Sequence, residues 1–304
     1  MKIEYPDAAV FQELLDAALT EDGVDQDITS RISMGAVSSA AAIRPARFQL
    51  CARQPGTFAG CAVLDAIEER FGGAMRMTVR AEDGETFRAG DTLAMLDGDA
   101  RPILSIERTM LNFLQRLCGV ATLTRRYVDE TRGTRCRIYD TRKTIPGWRA
   151  LDKYAVRCGG GFNHRMGLHD AVLLKDNHLA NIVPADWPTA IAAMLDRIPT
   201  LARKPDFVEV EVDTLEQLEA TLTLCDRIDV VLLDNFAHEA LRRAVALRDA
   251  AARRVDLEVS GGVALAEVAS IAATGVDRIA VGAITHSATA IDLGLDRPKN
   301  EESE

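Results

Sequence analysis

The chain has 304 residues, of which 47% are hydrophobic and 27% charged, a composition that supports a large core and argues against disorder. Its 36 basic and 46 acidic side chains leave a formal charge of −10, which speaks against a nucleic-acid-binding or membrane-surface protein. The opening MKIEYPDAAVFQELL holds acids where a secretory leader needs a basic end. No stretch approaches the roughly 18 apolar residues of a membrane span, so a cytoplasmic protein is expected.

In chain order, the first hundred residues open on a helical pattern, AAVFQELLDAAL, and continue with strand-like FQLCARQ and MRMTVRA between the turns EDGET and RAGD. That mixture predicts a small α+β domain. Residues 105–130 form a long helical signal in which Met110, Leu111, Leu114 and Leu117 make a buried stripe. Beyond it, short apolar runs recur: CRIYD (136–140), AVLLK (171–175), DFVEVEV (206–212), IDVVLLD (228–234), DLEVSGG (256–262) and DRIAVGA (277–283). Amphipathic stretches such as TLEQLEATLTL and HEALRRAVALRDAAARR lie between them. This alternation predicts a parallel sheet covered by helices, and the number of units favours a barrel over an open sheet. No G-x-G-x-x-G follows the first strand to suggest a dinucleotide site. The tail DRPKNEESE reads as a solvated end. Cys51, Cys61, Cys118, Cys136, Cys158 and Cys225 are scattered without a C-x-x-C pair and read as free thiols.

Charge is not spread evenly. Residues 125–175 carry twelve basic and five acidic side chains, a local surplus of +7 inside an acidic chain. Focused in a cleft, such charge attracts a small polyanion. Arg126, Arg132, Arg149 and Arg157 also read as ordinary solvated helix positions. Arg142 and Lys143 directly follow a strand, and Lys175 ends another, which puts them at the mouth where barrel active sites lie. His164 and Arg165 follow Gly159, Gly160 and Gly161, where backbone can approach a ligand. Arginine forks suit carboxylates and phosphates, and lysine acts as a point charge. Glu211 and Asp234, at neighbouring strand ends, suit sugar hydroxyls or a hydrated Mg²⁺. Ser260, Gly261, Gly262 and Gly282 end the last two strands, where barrels bind phosphate. A sugar phosphate meeting an acidic partner fits this set. A Schiff-base lyase built on Lys175 and a phosphate-binding scaffold without turnover are the other readings.

Eight ordered blocks carry a resemblance: ALTEDGVDQDITS, ERTMLNFLQRLCGVAT, DTRKTIPGWRALDKYAVRCGGGFNHRMGL, DAVLLKDNH, VEVEVDTLEQL, VVLLDNF, EVSGGV and DRIAVGAITHSA. With them the chain resembles the quinolinate phosphoribosyltransferase family over nearly its whole length. The resemblance implies an N-terminal α/β sandwich (1–116, with the tail 286–304 packing back) and an incomplete, seven-stranded α/β barrel (117–285). It implies decarboxylating transfer of phosphoribose from phosphoribosyl pyrophosphate to quinolinate, with Mg²⁺ and no organic cofactor, in de novo NAD biosynthesis. It further implies a homo-oligomer, a dimer or a hexamer-of-dimers-type assembly. By resemblance Arg142, His164, Arg165 and Lys175 hold quinolinate, and Arg108 reaches in from the neighbouring subunit. Lys143, Glu211 and Asp234 fall to phosphoribosyl pyrophosphate and its Mg²⁺, with Lys143, Lys175, Glu211 and Asp234 as the catalytic set. Ser260, Gly261, Gly262, Gly282 and His286 match the phosphate loops. A paralogue from the molybdenum locus, acting on another pyridine-like acid, tends to lack the lysine of LLKDNH, which this chain keeps as Lys175.

Overall fold

A computed structural model of the protein describes residues 8–34, 45–180 and 182–298. The expected leaderless start (1–7) and the end of the solvated tail (299–304) lie outside them. In chain order the elements are α1 (Ala8–Asp22), α2 (Ile28–Met34), β1 (Pro45–Ala52), β2 (Gly56–Thr57), α3 (Cys61–Arg70), β3 (Met75–Val79), β4 (Thr86–Phe87), β5 (Thr92–Asp99) and α4 (Ala100–Asp129). There follow β6 (Arg137–Tyr139), α5 (Arg149–Cys158), β7 (Val172–Leu174), α6 (Asp176–Leu179), α7 (Trp187–Leu195), β8 (Val208–Val212), α8 (Leu215–Leu222) and β9 (Val230–Asp234). The last are α9 (His238–Ala250), β10 (Asp256–Ser260), α10 (Val268–Ala272), β11 (Arg278–Ala280), α11 (Ala283–His286) and β12 (Leu293–Asp296).

Two compact units result. Among the described residues the first takes those up to Arg125, Ile145–Gly160 and those from Ser287 on; the second takes Arg126–Thr144 and Gly161–His286. The first unit is an antiparallel sheet of order β12-β1-β5-β3 with its helices. β12 pairs with β1, so the tail does return as a strand, in register from Gln49↔Asp296 to Ala52↔Leu293. Met110, Leu111, Leu114 and Leu117 of α4 are all at most 1% exposed, as their spacing predicts.

These units differ from the expected boundaries at three places: residues 117–125 and Ile145–Gly160, expected in the barrel domain, group with the first unit, and His286, expected with the tail, groups with the second. Trp148 stacks on Phe113 at 4.9 Å, Asp152 pairs with Arg116 at 3.0 Å, and the Tyr154 hydroxyl donates to Asp83. Gly159 is pressed against α4: a Cβ there would come within 2.6 Å of the Ala121 carbonyl oxygen. That glycine serves helix packing, not the ligand approach its sequence context suggested. The cation-rich stretch 125–175 is therefore divided, with Lys153, which is buried, on α5.

The second unit contains a parallel sheet of order β6-β11-β10-β9-β8-β7. A seventh position beside β6 is occupied by one residue, Phe162, in a parallel bridge to Tyr139. The Phe162 N–H donates to Ile138 and the Asp140 N–H to the Phe162 carbonyl. Among the described residues no ladder joins this segment to β7, so the ring stays open there. β8 shows how the barrel is built: its five residues are all buried, with Val208, Val210 and Val212 on one face and Glu209 and Glu211 on the other. Fully burying each valine is worth about 1.5–3 kcal/mol, which helps offset polar groups inside. No helix of the described residues is long and apolar enough to cross a membrane, and all six cysteines are free.

Candidate active site

The second unit encloses a cavity of about 200 Å³ at the C-terminal ends of its strands. Arg142 and Lys143 reach it from the loop after β6, His164 and Arg165 from the bridging segment, Lys175 from the end of β7 and Ser260 from the end of β10. Leu173, Leu232 and Ala280 supply apolar wall, and Glu258 and Thr141 complete it.

A buried carboxylate ties its two cationic segments together. Asp140, fully buried, accepts from the His164 N–H at 2.8 Å and from the Asn163 amide at 2.6 Å. Lys143 is held from behind, its carbonyl accepting from the Thr285 hydroxyl at 2.8 Å and its N–H donating to Thr141 at 3.0 Å. Beyond Arg165, Asp170 accepts from Met166 and Gly167 and closes a tight loop. Arg165 is 8% exposed, and its guanidinium donates to the Ala171 carbonyl at 3.3 Å. Burial and the nearby charge of Arg142 both push its pKa down. Two guanidinium groups that repel one another beside a cavity are an arrangement that an anion relieves.

Beneath the arginines lies a buried acidic pair. Nε2 of His164 is 2.9 Å from Oε2 of Glu209 and 3.4 Å from Oε1 of Glu258, and both carboxylates are fully buried. Burial opposes charge on the ring, but the two carboxylates outweigh it and raise the His164 pKa to about 10. Burial, with Glu258 beside it, also pushes Glu209 up. The Arg165 N–H acts the other way, because it donates to Nδ1 at 2.8 Å and a ring proton there would face it. A hydrogen on Nε2, with the further proton on the carboxylate pair, satisfies both demands. The triad then carries net charge −1, the same as an imidazolium between two carboxylates.

At the next level, the Lys175 ammonium pairs with Glu211 at 2.8 Å. A nitrogen engaged by a carboxylate in this way does not suit a Schiff-base nucleophile, which must be a free amine. Asp234, in register with Ser260, accepts from the Asn235 amide at 2.7 Å. Asn235 holds a left-handed φ of 56° and donates its N–H to the Ser260 carbonyl. Gly261 must be glycine here: its φ is +107°, and a Cβ would lie 2.2 Å from the Asn235 side-chain oxygen. A Cβ on Gly282 would lie 2.8 Å from the Lys143 side chain and 3.3 Å from the His286 ring, so this glycine lets the lysine pass.

The structure thus brings together, on one barrel end, Arg142, Lys143, His164, Arg165, Lys175, Glu211, Asp234, Ser260 and Gly282. Gly262 follows in a left-handed turn at φ +61°, and His286, exposed, ends α11. Arg108 is exposed on α4 in the first unit and is not among the residues lining this cavity. Sequence reasoning missed Glu209, Glu258 and Asn235. A signal existed for Glu209: VEVEV puts it on the same strand face as Glu211, two residues on.

Comparison with known proteins follows this geometry. Residues 27–118 match the model of the quinolinate phosphoribosyl transferase N-terminal domain, and residues 120–296 that of its C-terminal domain. A nicotinate-nucleotide pyrophosphorylase [carboxylating] of Mycobacterium leprae is 46% identical over 248 residues, 80% of this chain and 84% of the relative. A probable enzyme of the same name from Bacillus subtilis is 34% identical, covering 96% of this chain and 95% of its own. The solved nicotinate-nucleotide pyrophosphorylase of Francisella tularensis superposes with a TM-score of 0.84 at 35% identity, covering 97% of this chain and 99% of that one.

Proposed function

The chain belongs to the quinolinate phosphoribosyl transferase family, and on that premise we propose that it converts quinolinate and phosphoribosyl pyrophosphate to nicotinate mononucleotide, CO₂ and pyrophosphate in NAD biosynthesis. The observation that carries the reading is the repelling pair Arg142 and Arg165, with Lys175 and Lys143, around one cavity at the strand ends.

Both substrates are polyanions that repel each other, so the first task of the site is to hold them together. Arg142, His164, Arg165 and Lys175 form the pocket for the two quinolinate carboxylates, and held geometry of this kind lowers the barrier by proximity. Lys143, Glu211 and Asp234 face phosphoribosyl pyrophosphate, and Ser260, Gly261, Gly262, Gly282 and His286 cradle its 5′-phosphate. The pyridine nitrogen lone pair forms the bond to the anomeric carbon as the bond to pyrophosphate breaks. Lys143 stabilises charge on the departing oxygen, and Glu211 or Asp234 the cationic sugar carbon. The ring nitrogen is then positive, and the electrons released with CO₂ collect on the carbon beside it. Solvent supplies the proton that replaces the carboxylate. No general base of unusual pKa is required.

The protein carboxylates fit Mg²⁺ in one mode. Glu211 is already paired with Lys175 and Asp234 with Asn235, so they suit an ion held chiefly by water and by the substrate's own oxygens. When bound, that ion neutralises charge on the leaving pyrophosphate. A cytoplasmic homodimer, alone or within a larger assembly, completes the reading, with Arg108 of one subunit serving the site of the other. The test is incubation with quinolinate, phosphoribosyl pyrophosphate and Mg²⁺, following nicotinate mononucleotide and CO₂ together. Product that requires all three supports the assignment, and folded protein without turnover refutes it.

A further inference from the structure

Two buried carboxylates inside the barrel, Glu209 and Glu258, have no role in the chemistry above. Glu209, Glu258 and His164 lie as close to one another as the ligands of a metal ion would. The ring, however, has no lone pair to give: Nδ1 accepts from the Arg165 N–H and Nε2 carries the proton shared with Glu209. Leu173, Leu232 and Ala280, in the cavity wall that also holds His164, show that apolar side chains fill part of it. Two fully buried carboxylates are present as well. Oε1 of Glu209 and both oxygens of Glu258 have no hydrogen-bond partner among the described residues. Such a pair lowers stability compared with well-packed apolar side chains, so its presence calls for another explanation.

We propose that Glu209 and Glu258 are positioning residues for carboxylate binding: Glu209 holds the His164 ring by Nε2–H, with the Glu258 carboxylate 3.4 Å from the same nitrogen, and Nδ1 in turn holds the Arg165 backbone so that its guanidinium stays aimed into the cavity. The proposal rests on reading that cavity as the quinolinate site. Each link is a direct contact. Glu209 meets Nε2 at 2.9 Å, Nδ1 meets the Arg165 N–H at 2.8 Å, and the Phe207 ring packs edge-on against the imidazole at 5.2 Å. Asp140 fixes the His164 N–H from the other side. The charge of Arg278, on β11 beside the strand of Glu258, acts against the upward push on Glu209. Loss of the Glu209 contact removes the hydrogen bond that fixes the ring at Nε2, and with it one constraint on the Arg165 backbone.

The test uses the full chain with Glu209→Ala, Glu209→Gln and Glu258→Gln, reading quinolinate affinity by calorimetry, the two KM values and thermal melting. Glu209→Ala raises the quinolinate Kd and KM about ten- to hundredfold and leaves the KM for phosphoribosyl pyrophosphate within about twofold. Glu209→Gln, whose amide oxygen still accepts from Nε2–H, recovers most of the loss. Equal losses for both substrates, or a lower melting temperature with unchanged quinolinate affinity, would overturn the proposal. Should Glu209→Ala not fold, Glu258→Gln decides: a several-fold selective weakening of quinolinate supports the role, and none refutes it. Wild-type protein that binds no quinolinate refutes the underlying reading and this proposal with it. Wild-type binding that the variants match refutes the proposal alone.

Discussion

Lys175 and Glu211 meet at 2.8 Å across the ends of two adjacent strands, β7 and β8. The lysine is assigned to one substrate and the glutamate to the other, so the ion pair links the two halves of the site. A double-mutant cycle with Lys175→Ala and Glu211→Ala is expected to show coupling of about 1 kcal/mol in kcat/KM. Strict additivity would mean that the pair is only a surface contact.

Arg165 is the most enclosed cation of the cavity. Its replacement by alanine is expected to weaken quinolinate binding about 10- to 100-fold, the loss of one or two charge-assisted hydrogen bonds, with much less effect on phosphoribosyl pyrophosphate. Separate titrations of the two substrates check this. Equal losses would contradict the assignment.

Arg108 sits exposed on α4, outside the cavity lining. If it serves a partner's site, mixing inactive Arg108→Ala and Arg165→Ala proteins restores activity, because hybrid assemblies contain some sites with neither substitution. Subunit exchange is verified first with labelled protein. No recovery after exchange rules out a shared site.

Asp27 precedes α2 and caps it: its carboxylate accepts from the Ser30 hydroxyl and N–H and from the Ser105 hydroxyl. The Ser30 hydroxyl bond leads the contacts that lower its pKa to about 2 from an ordinary 3.8. A carboxyl lowered on folding stabilises above its unfolded pKa and loses that contribution as pH falls through the folded value. Asp27→Asn is expected to cost about 1 kcal/mol near neutrality. The gap from wild type should narrow below pH 3.8 and close near pH 2, followed by chemical denaturation at each pH. A gap independent of pH would show that the charge contributes nothing.

The sequence carried the barrel because β-branched runs and amphipathic helices alternate, and the strand ends lined up Arg142, Lys175, Glu211, Asp234 and Ser260 for one reason. In parallel strands of one sheet all C-termini point the same way. It failed at α5. Arg149, Lys153 and Arg157 share a charged stretch with Arg142 and Arg165, and local pattern could not say that Asp152 would find Arg116 or that Trp148 would stack on Phe113. The seventh strand shrank to the single bridge at Phe162, too short for any periodicity to announce.

Residue type and strand position therefore determined, without coordinates, which end of the barrel carries the chemistry and which cations stand there. Only the tertiary structure decided what lies beneath them. Glu209 and Glu258 are 49 residues apart in the chain and meet on one imidazole because β8 and β10 curve around the same interior. A buried carboxylate is acceptable only beside its partner, and partners so distant in sequence are set by packing, not by local pattern.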